Sequence, residues 1–208
     1  PDTPVAAGDR GDLEIPDDPA LDAEQHSTYR TVVGILLHIV VDRGDLGYGI
    51  RLVSRKIGQP TDSDWTRLKR LVKFAFGTRE EWQLIEPSKE SGNILTHVDS
   101  DWAGDKITRK SCSCAVIRLD GVVLAMFVRG QKIEALSSAE AEFYAAVMGI
   151  AEALHIQQLL AWLGDPRRLE VFSDSSAARS ILARMGVGKV RHLQVKLLWV
   201  QRLVNSGQ

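Results

Sequence analysis

At 208 residues, with 44% hydrophobic and 25% charged side chains, the chain can bury one good core, or one core plus a small appended unit. Its longest apolar runs, such as Ile35 to Val41, fall far short of a bilayer span, and no secretory signal opens it, so neither a membrane-embedded nor a secreted protein is expected. The net charge of −1 conceals a division: residues 1–28 hold eight acids against Arg10 alone, leaving 25 basic and 19 acidic residues, a net of +6, in the remainder.

The acidic start, rich in Pro, Gly and Asp, reads as a disordered linker over residues 1–28. A helical region follows over 29–90. Tyr29 to Val41 predicts a helix capped by Ser27 or Thr28, and Asp45 to Ile57 a second one after the break at Gly44. Beyond Pro60, a third helix spans Asp62 to Phe76, with Trp65, Leu68, Leu71, Val72 and Ala75 at helical spacing and Gly77 as its stop. Arg67, Lys69, Arg70 and Lys73 on that helix read as a solvated face in preference to a nucleic-acid contact. No polymerase metal motif occurs in this region.

From Ile94 the pattern changes to alternation, over residues 91–208. A strand ends at Asp99, a loop passes Gly104 and Asp105, and strands at Ser113–Leu119 and Val122–Val128 join at Asp120-Gly121, a strong hairpin signal. A long helix from Ala139 to Leu163 stops at Gly164 and Pro166. Then come a strand ending at Asp174, a short helix from Ser176 to Arg184, a turn at Gly186 and Gly188, and a last helix from His192 to Val204. Cys112 and Cys114 share one strand face without a second pair to complete a zinc site, which predicts two packed thiols in a reducing compartment. The five histidines, His26, His38, His97, His155 and His192, show no ligand spacing.

Three carboxylates stand out: Asp99 and Asp174 at strand ends, and Glu142 within a serine-capped helix start, SSAEAEFYAA from Ser137. Acids at the ends of neighbouring strands and on a packed helix can converge on one point, as a hard cation such as Mg²⁺ requires. Beyond Asp174 there is no acid, only Arg179, Arg184, Lys189, Arg191, Lys196 and Arg202. Basic residues beside an acidic centre suit a polyanionic substrate, although a solvated basic face accounts for them equally.

The segments HVDSDWAGDKITRKSCSCAVIRLD (His97–Asp120), QKIEALSSAEAEFYAAVMGIAEA (from Gln131) and EVFSDSSAARSIL (from Glu170) resemble the ribonuclease H domain of copia-type LTR retrotransposon Pol polyproteins. The block from Tyr29 to Thr78 resembles the end of the reverse transcriptase region that leads into it. The resemblance implies a ribonuclease H-like α/β fold, a mixed sheet with helices on both faces, preceded by a small helical connection region. It implies endonucleolytic, metal-dependent hydrolysis of the RNA strand of RNA–DNA hybrids, with two Mg²⁺ or Mn²⁺ ions. Asp99 would bridge the ions, and Glu142 and Asp174 would be the further ligands. Glu140, in the first helical turn, is assigned to capping, and Asp101 and Asp105 to the loop. Arg179, Arg184, Lys189, Arg191 and Lys196 are the candidate nucleic-acid contacts. Ser111, Ser113, Ser137, Ser138 and Ser175 could touch the hybrid, with capping and turn roles the safer reading. The implied partners are the hybrid and the remainder of the Pol polyprotein, including reverse transcriptase. The implied location is a cytoplasmic particle or the nucleus.

The chain also departs from that family. Its fourth carboxylate, in a block like A-D-I-L-T-K, has no counterpart here, and RHLQVKLLWV carries Gln194 where an acid is usual. A domain lacking its last strand and helix is therefore expected, with a weakly held second ion, an open sheet edge and weak or absent activity. The alternative is a non-catalytic nucleic-acid-binding remnant of a degraded retroelement polyprotein. An integrase-type nuclease is disfavoured, because the acid-bearing helix precedes Asp174.

Overall fold

The computed structural model describes residues 3–6, 9, 17–81, 85, 92–188 and 197–206. The chain divides into two compact units, Pro1–Gln83 and Leu84–Gln208, each with its own core.

The first unit is helical: α1 (Ala23–Ile39), a 3₁₀ turn (Gly44–Leu46), α2 (Gly47–Ser54) and α3 (Asp62–Gly77). Tyr29, Val33 and Leu36 fall on one stripe of α1 and pack with Leu46, Ile50, Val53, Leu68 and Leu71. The Tyr29 hydroxyl, buried with its ring, donates to the Val53 carbonyl at 2.7 Å, and burial pushes its pKa up. A buried hydroxyl without such a partner would cost about 1–3 kcal/mol.

The start of α1 differs from the expected one. The helix begins at Ala23, where Asp22 accepts from the Gln25 N–H at 2.8 Å, and not at Tyr29 under Ser27 or Thr28. A carboxylate cap with Glu24 in the first turn suits the positive end of the helix dipole, so Asp22 and Glu24, two of the acids counted in the linker, start a helix. Asp18 is likewise engaged, accepting from the Ser63 N–H at 3.0 Å and its hydroxyl at 2.7 Å, and Ala20 forms a β-bridge with Thr61. On α3, the Asp64 carboxylate accepts from the Thr61 N–H at 3.1 Å and closes the helix start. Arg67 lies between Asp9 and Asp64, each at 2.8 Å, so this part of the basic face is already neutralised.

The second unit is α/β: β1 (Ile94–Asp101), β2 (Cys112–Leu119), β3 (Val122–Gly130), α4 (Ser138–Trp162), β4 (Leu169–Phe172), α5 (Ser176–Ala183) and α6 (Trp199–Ser206). The strands form one mixed sheet in the order β3-β2-β1-β4, antiparallel except for the parallel β1–β4 pair. This is the mixed, helix-flanked sheet expected of a ribonuclease H-like fold. Asp120 and Gly121 turn the β2–β3 hairpin with φ of 51° and 83°, the left-handed pair that a tight hairpin demands.

Alternation along β1 buries Ile94, Thr96 and Val98 under α4. Gly149 marks the closest approach, since a Cβ there would collide with the Val98 Cγ1 methyl. Phe143, Ala146, Val147 and Ile150 of α4 join Ala115, Ile181, Leu182 and Val200 in the core. A fully buried side chain such as Phe143 contributes about 1.5–3 kcal/mol. Among the described residues, α4, α5 and α6 all contribute to this one cluster. On the other face, His97 stacks on the exposed Phe172 at 5.0 Å between ring centroids.

Gln201 ties α6 down from a buried position, donating to Ile181 O at 2.8 Å and accepting from the Gly186 N–H at 2.8 Å. The last helix is described over Trp199–Ser206, and residues 192–196 of its expected span lie outside the described residues. Cys112 is buried and Cys114 half-buried, and burial together with the nearby Asp99 raises the Cys114 pKa. Among the described residues, no helix is long and apolar enough to cross a membrane.

Candidate metal centre

The parallel pairing of β1 with β4 sets Ile94 beside Leu169 and His97 beside Phe172, a constant offset of 75 residues. Carried two residues further, the same offset puts Asp99 beside Asp174. β1 runs on to Asp101 and β4 stops at Phe172, so neither acid is the last residue of its strand as expected, and both carboxylates are exposed. The third acid comes from below. Ser137 caps α4 by accepting from the Glu140 N–H at 3.2 Å, and Glu140 reaches back to the Leu136 N–H at 2.7 Å. Glu142, two residues on, is 9% exposed and faces the end of β1. Carboxylate oxygens of Asp99, Glu142 and Asp174 all lie within 4.8 Å of one another.

The neighbouring acids are spent elsewhere. Glu140 also accepts from the Tyr144 hydroxyl and is 2% exposed, so it belongs to the cap. Asp101 accepts from the Cys112 N–H across the β1–β2 loop. The buried Asp105 accepts from the N–H groups of Ile107 and Thr108 at 3.0 and 3.1 Å, and from the Thr108 hydroxyl at 2.6 Å. The loop acids thus serve the loop.

Burial is the main cause that raises the Glu142 pKa, and the charges of Asp99 and Asp174 add to it. Ser100 works in the opposite sense, giving Oε1 its hydroxyl at 2.9 Å and its N–H at 3.3 Å. The second oxygen, Oε2, is buried without a hydrogen-bond partner. An orphaned buried oxygen on one member of a three-carboxylate cluster is costly unless positive charge joins it. The donors are all hard oxygen, so these residues fit Mg²⁺ or Mn²⁺.

The other site candidates are placed as follows. Arg179 is exposed on α5 and donates to the Ser173 carbonyl, next to Asp174. Arg184 turns inward, giving Nη2 to the Val187 carbonyl at 2.6 Å, with its guanidinium where a Cβ on Gly188 would sit. Lys189, Arg191 and Lys196 lie outside the described residues. Ser111 and Ser113 are buried, accepting from the Ala103 N–H at 3.0 Å and from the Gln131 amide at 2.9 Å. Ser137 and Ser175 cap α4 and α5. Ser100 was not among the sequence candidates. Its signal was available, because a residue next to Asp99 in a strand must face the opposite way, toward α4.

No family model matches the chain, and no solved structure matches it. Among curated proteins it is 27% identical over 185 residues to the Retrovirus-related Pol polyprotein from transposon RE2 of Arabidopsis thaliana, covering 86% of the chain and 12% of that protein. It is 27% identical over 181 residues to the Retrovirus-related Pol polyprotein from transposon TNT 1-94 of Nicotiana tabacum, covering 86% of the chain and 14% of that protein. An uncharacterised mitochondrial protein of Arabidopsis thaliana is 29% identical over 126 residues, covering 61% of the chain and 52% of that protein. The chain thus spans about one seventh or less of the Pol polyproteins it matches. The three converging carboxylates lie in a chain whose curated relatives include retrovirus-related Pol polyproteins of plant transposons.

Proposed function

We propose that this chain is the end of the reverse transcriptase region and the ribonuclease H of a copia-type retrotransposon Pol polyprotein, and that it hydrolyses the RNA strand of RNA–DNA hybrids. The observation that carries the reading is the convergence of Asp99, Glu142 and Asp174, drawn from three elements, at one end of a mixed sheet. The Pol polyprotein relatives support a retroelement origin.

Asp99 and Asp174 stand open to solvent, so a phosphodiester can approach them, while Glu142 closes the floor of the site. Asp99, Glu142 and Asp174 would hold divalent ions, which would supply an activated water and charge stabilisation for the leaving oxygen. The chain's part is to hold three acids at a fixed spacing that mutual repulsion would otherwise open. Arg179, exposed beside Asp174, is positioned for a neighbouring phosphate. Selection of RNA rests on its 2′-hydroxyls and A-like groove.

Cleavage of a strand-labelled hybrid in Mg²⁺ or Mn²⁺ tests the reading, with the parent beside Asp99→Asn and Glu142→Gln. The parent should degrade RNA alone, and each variant should lose about 1,000-fold, since charge stabilisation by a metal is worth several kcal/mol. Hybrid binding without cleavage in the parent would support the non-catalytic remnant. Full activity in either variant would overturn the site assignment.

A further inference from the structure

Glu142 has two oxygens in opposite circumstances. Oε1 takes both the hydroxyl and the N–H of Ser100, at 2.9 and 3.3 Å, whereas Oε2 is buried with no hydrogen-bond partner. Two donors from a single strand residue fix the carboxylate plane as one would not, because rotation about the terminal torsion breaks at least one of them. Ser100 is itself fixed, since β1 is paired on both sides, with β2 through Ser113 opposite Ser100 and with β4 earlier along the strand. The residue that follows Asp99 therefore aims the third acid of the same cluster.

We infer that Ser100 is the positioning residue of the carboxylate centre. It occupies Oε1 of Glu142 and presents Oε2 alone to a divalent cation shared with Asp99 and Asp174. This rests on the proposed reading of the three acids as a cation site. Losing the hydroxyl leaves only the longer N–H bond to hold Glu142, so a cation must do more of the ordering itself and binds less tightly. Groups that orient a metal ligand typically change affinity by about 10–100-fold when removed.

The test is Mn²⁺ binding to this chain, followed by electron paramagnetic resonance of the free ion and by calorimetry, in the parent, Asp99→Asn, Ser100→Ala and Ser100→Thr. Ser100→Ala should weaken binding by about 10-fold or more. Ser100→Thr, which keeps the hydroxyl on a strand-compatible residue, should stay within about 3-fold of the parent. Thermal unfolding without metal checks that each variant is folded. If Ser100→Ala fails to fold, the inference stands or falls on Ser100→Thr, which must keep parental affinity. In hybrid cleavage, Ser100→Ala should raise the half-saturating metal concentration and leave the KM for hybrid unchanged. Parental affinity in Ser100→Ala, with binding lost in Asp99→Asn, would overturn the positioning role and leave the cation site standing. An equal loss in Ser100→Ala and Ser100→Thr would also overturn it. Absence of binding in the parent, or undiminished binding in Asp99→Asn, would overturn the cation site and this inference together.

Discussion

Glu142 is a burden in the metal-free fold and, under the proposed reading, a ligand of the cation site. Its pKa is raised by burial first, then by Asp99 and Asp174, so the folded state holds the Glu142 proton more tightly than the unfolded chain does. The associated stability is fully present below the unfolded-state pKa and is lost as pH rises through the higher folded-state value. Metal-free protein should therefore lose stability on going from about pH 4 toward neutrality because of this group. Glu142→Gln should raise the metal-free Tm at pH 7 and flatten that part of the Tm–pH curve. Thermal melts across the range check it, and a lower neutral-pH Tm for the variant would mean that the carboxylate makes a compensating contact. That Glu142 and not Glu140 joins the cluster with Asp99 and Asp174 was legible from position in the helix, because Glu140 sits where a capping box needs an acid. That Ser100 faces α4 was legible from strand alternation, but its pairing with Glu142 was not, since the two lie 42 residues apart in the chain.

At the scale of elements, two helices make opposite predictions about glycine. Gly34 lies in α1 with nothing within 4 Å of where a Cβ methyl would sit, so Gly34→Ala should stabilise the first unit by about 0.5–1 kcal/mol. Gly149 lies where α4 presses on β1, and Gly149→Ala should destabilise by about 1–3 kcal/mol through overpacking against Val98. Denaturant melts of the two variants decide both signs. The cap of α4 gives a third case: Ser137→Ala should cost about 1 kcal/mol, because Ser137 satisfies the otherwise orphaned Glu140 N–H. Since α4 carries Glu142, the same variant should also weaken Mn²⁺ binding. Local chemistry made the hairpin, the cap and the strand alternation readable in advance. It misled at α1, where the acids before Tyr29 suggested a linker but Asp22 starts the helix.

For the whole molecule, two separate cores predict two responses to metal. Mn²⁺ at about 100 times its Kd should stabilise the unit that holds the carboxylates by about 2.7 kcal/mol and leave the helical unit unchanged. Hydrogen exchange resolves the two, with protection rising in α4 and β1 but not in α1 or α3. A uniform rise would place the cation elsewhere. Asp99→Asn should abolish the increment.

The sequence by itself determined the order and kind of most elements, the α/β class of the second unit, and which acids belong to caps and loops, because these follow from contacts a few residues apart. Tertiary structure alone decided the rest. Parallel pairing at an offset of 75 residues brings Asp99 to Asp174, and the lie of α4 across the sheet brings Glu142 to both. The inward turn of Arg184 depends likewise on the Gly186–Gly188 turn and on α6 behind it. A strand pattern specifies which face a side chain takes, but not which strand will lie beside it. That choice is made by burial of the shared core, where side chains distant in sequence must fill one volume.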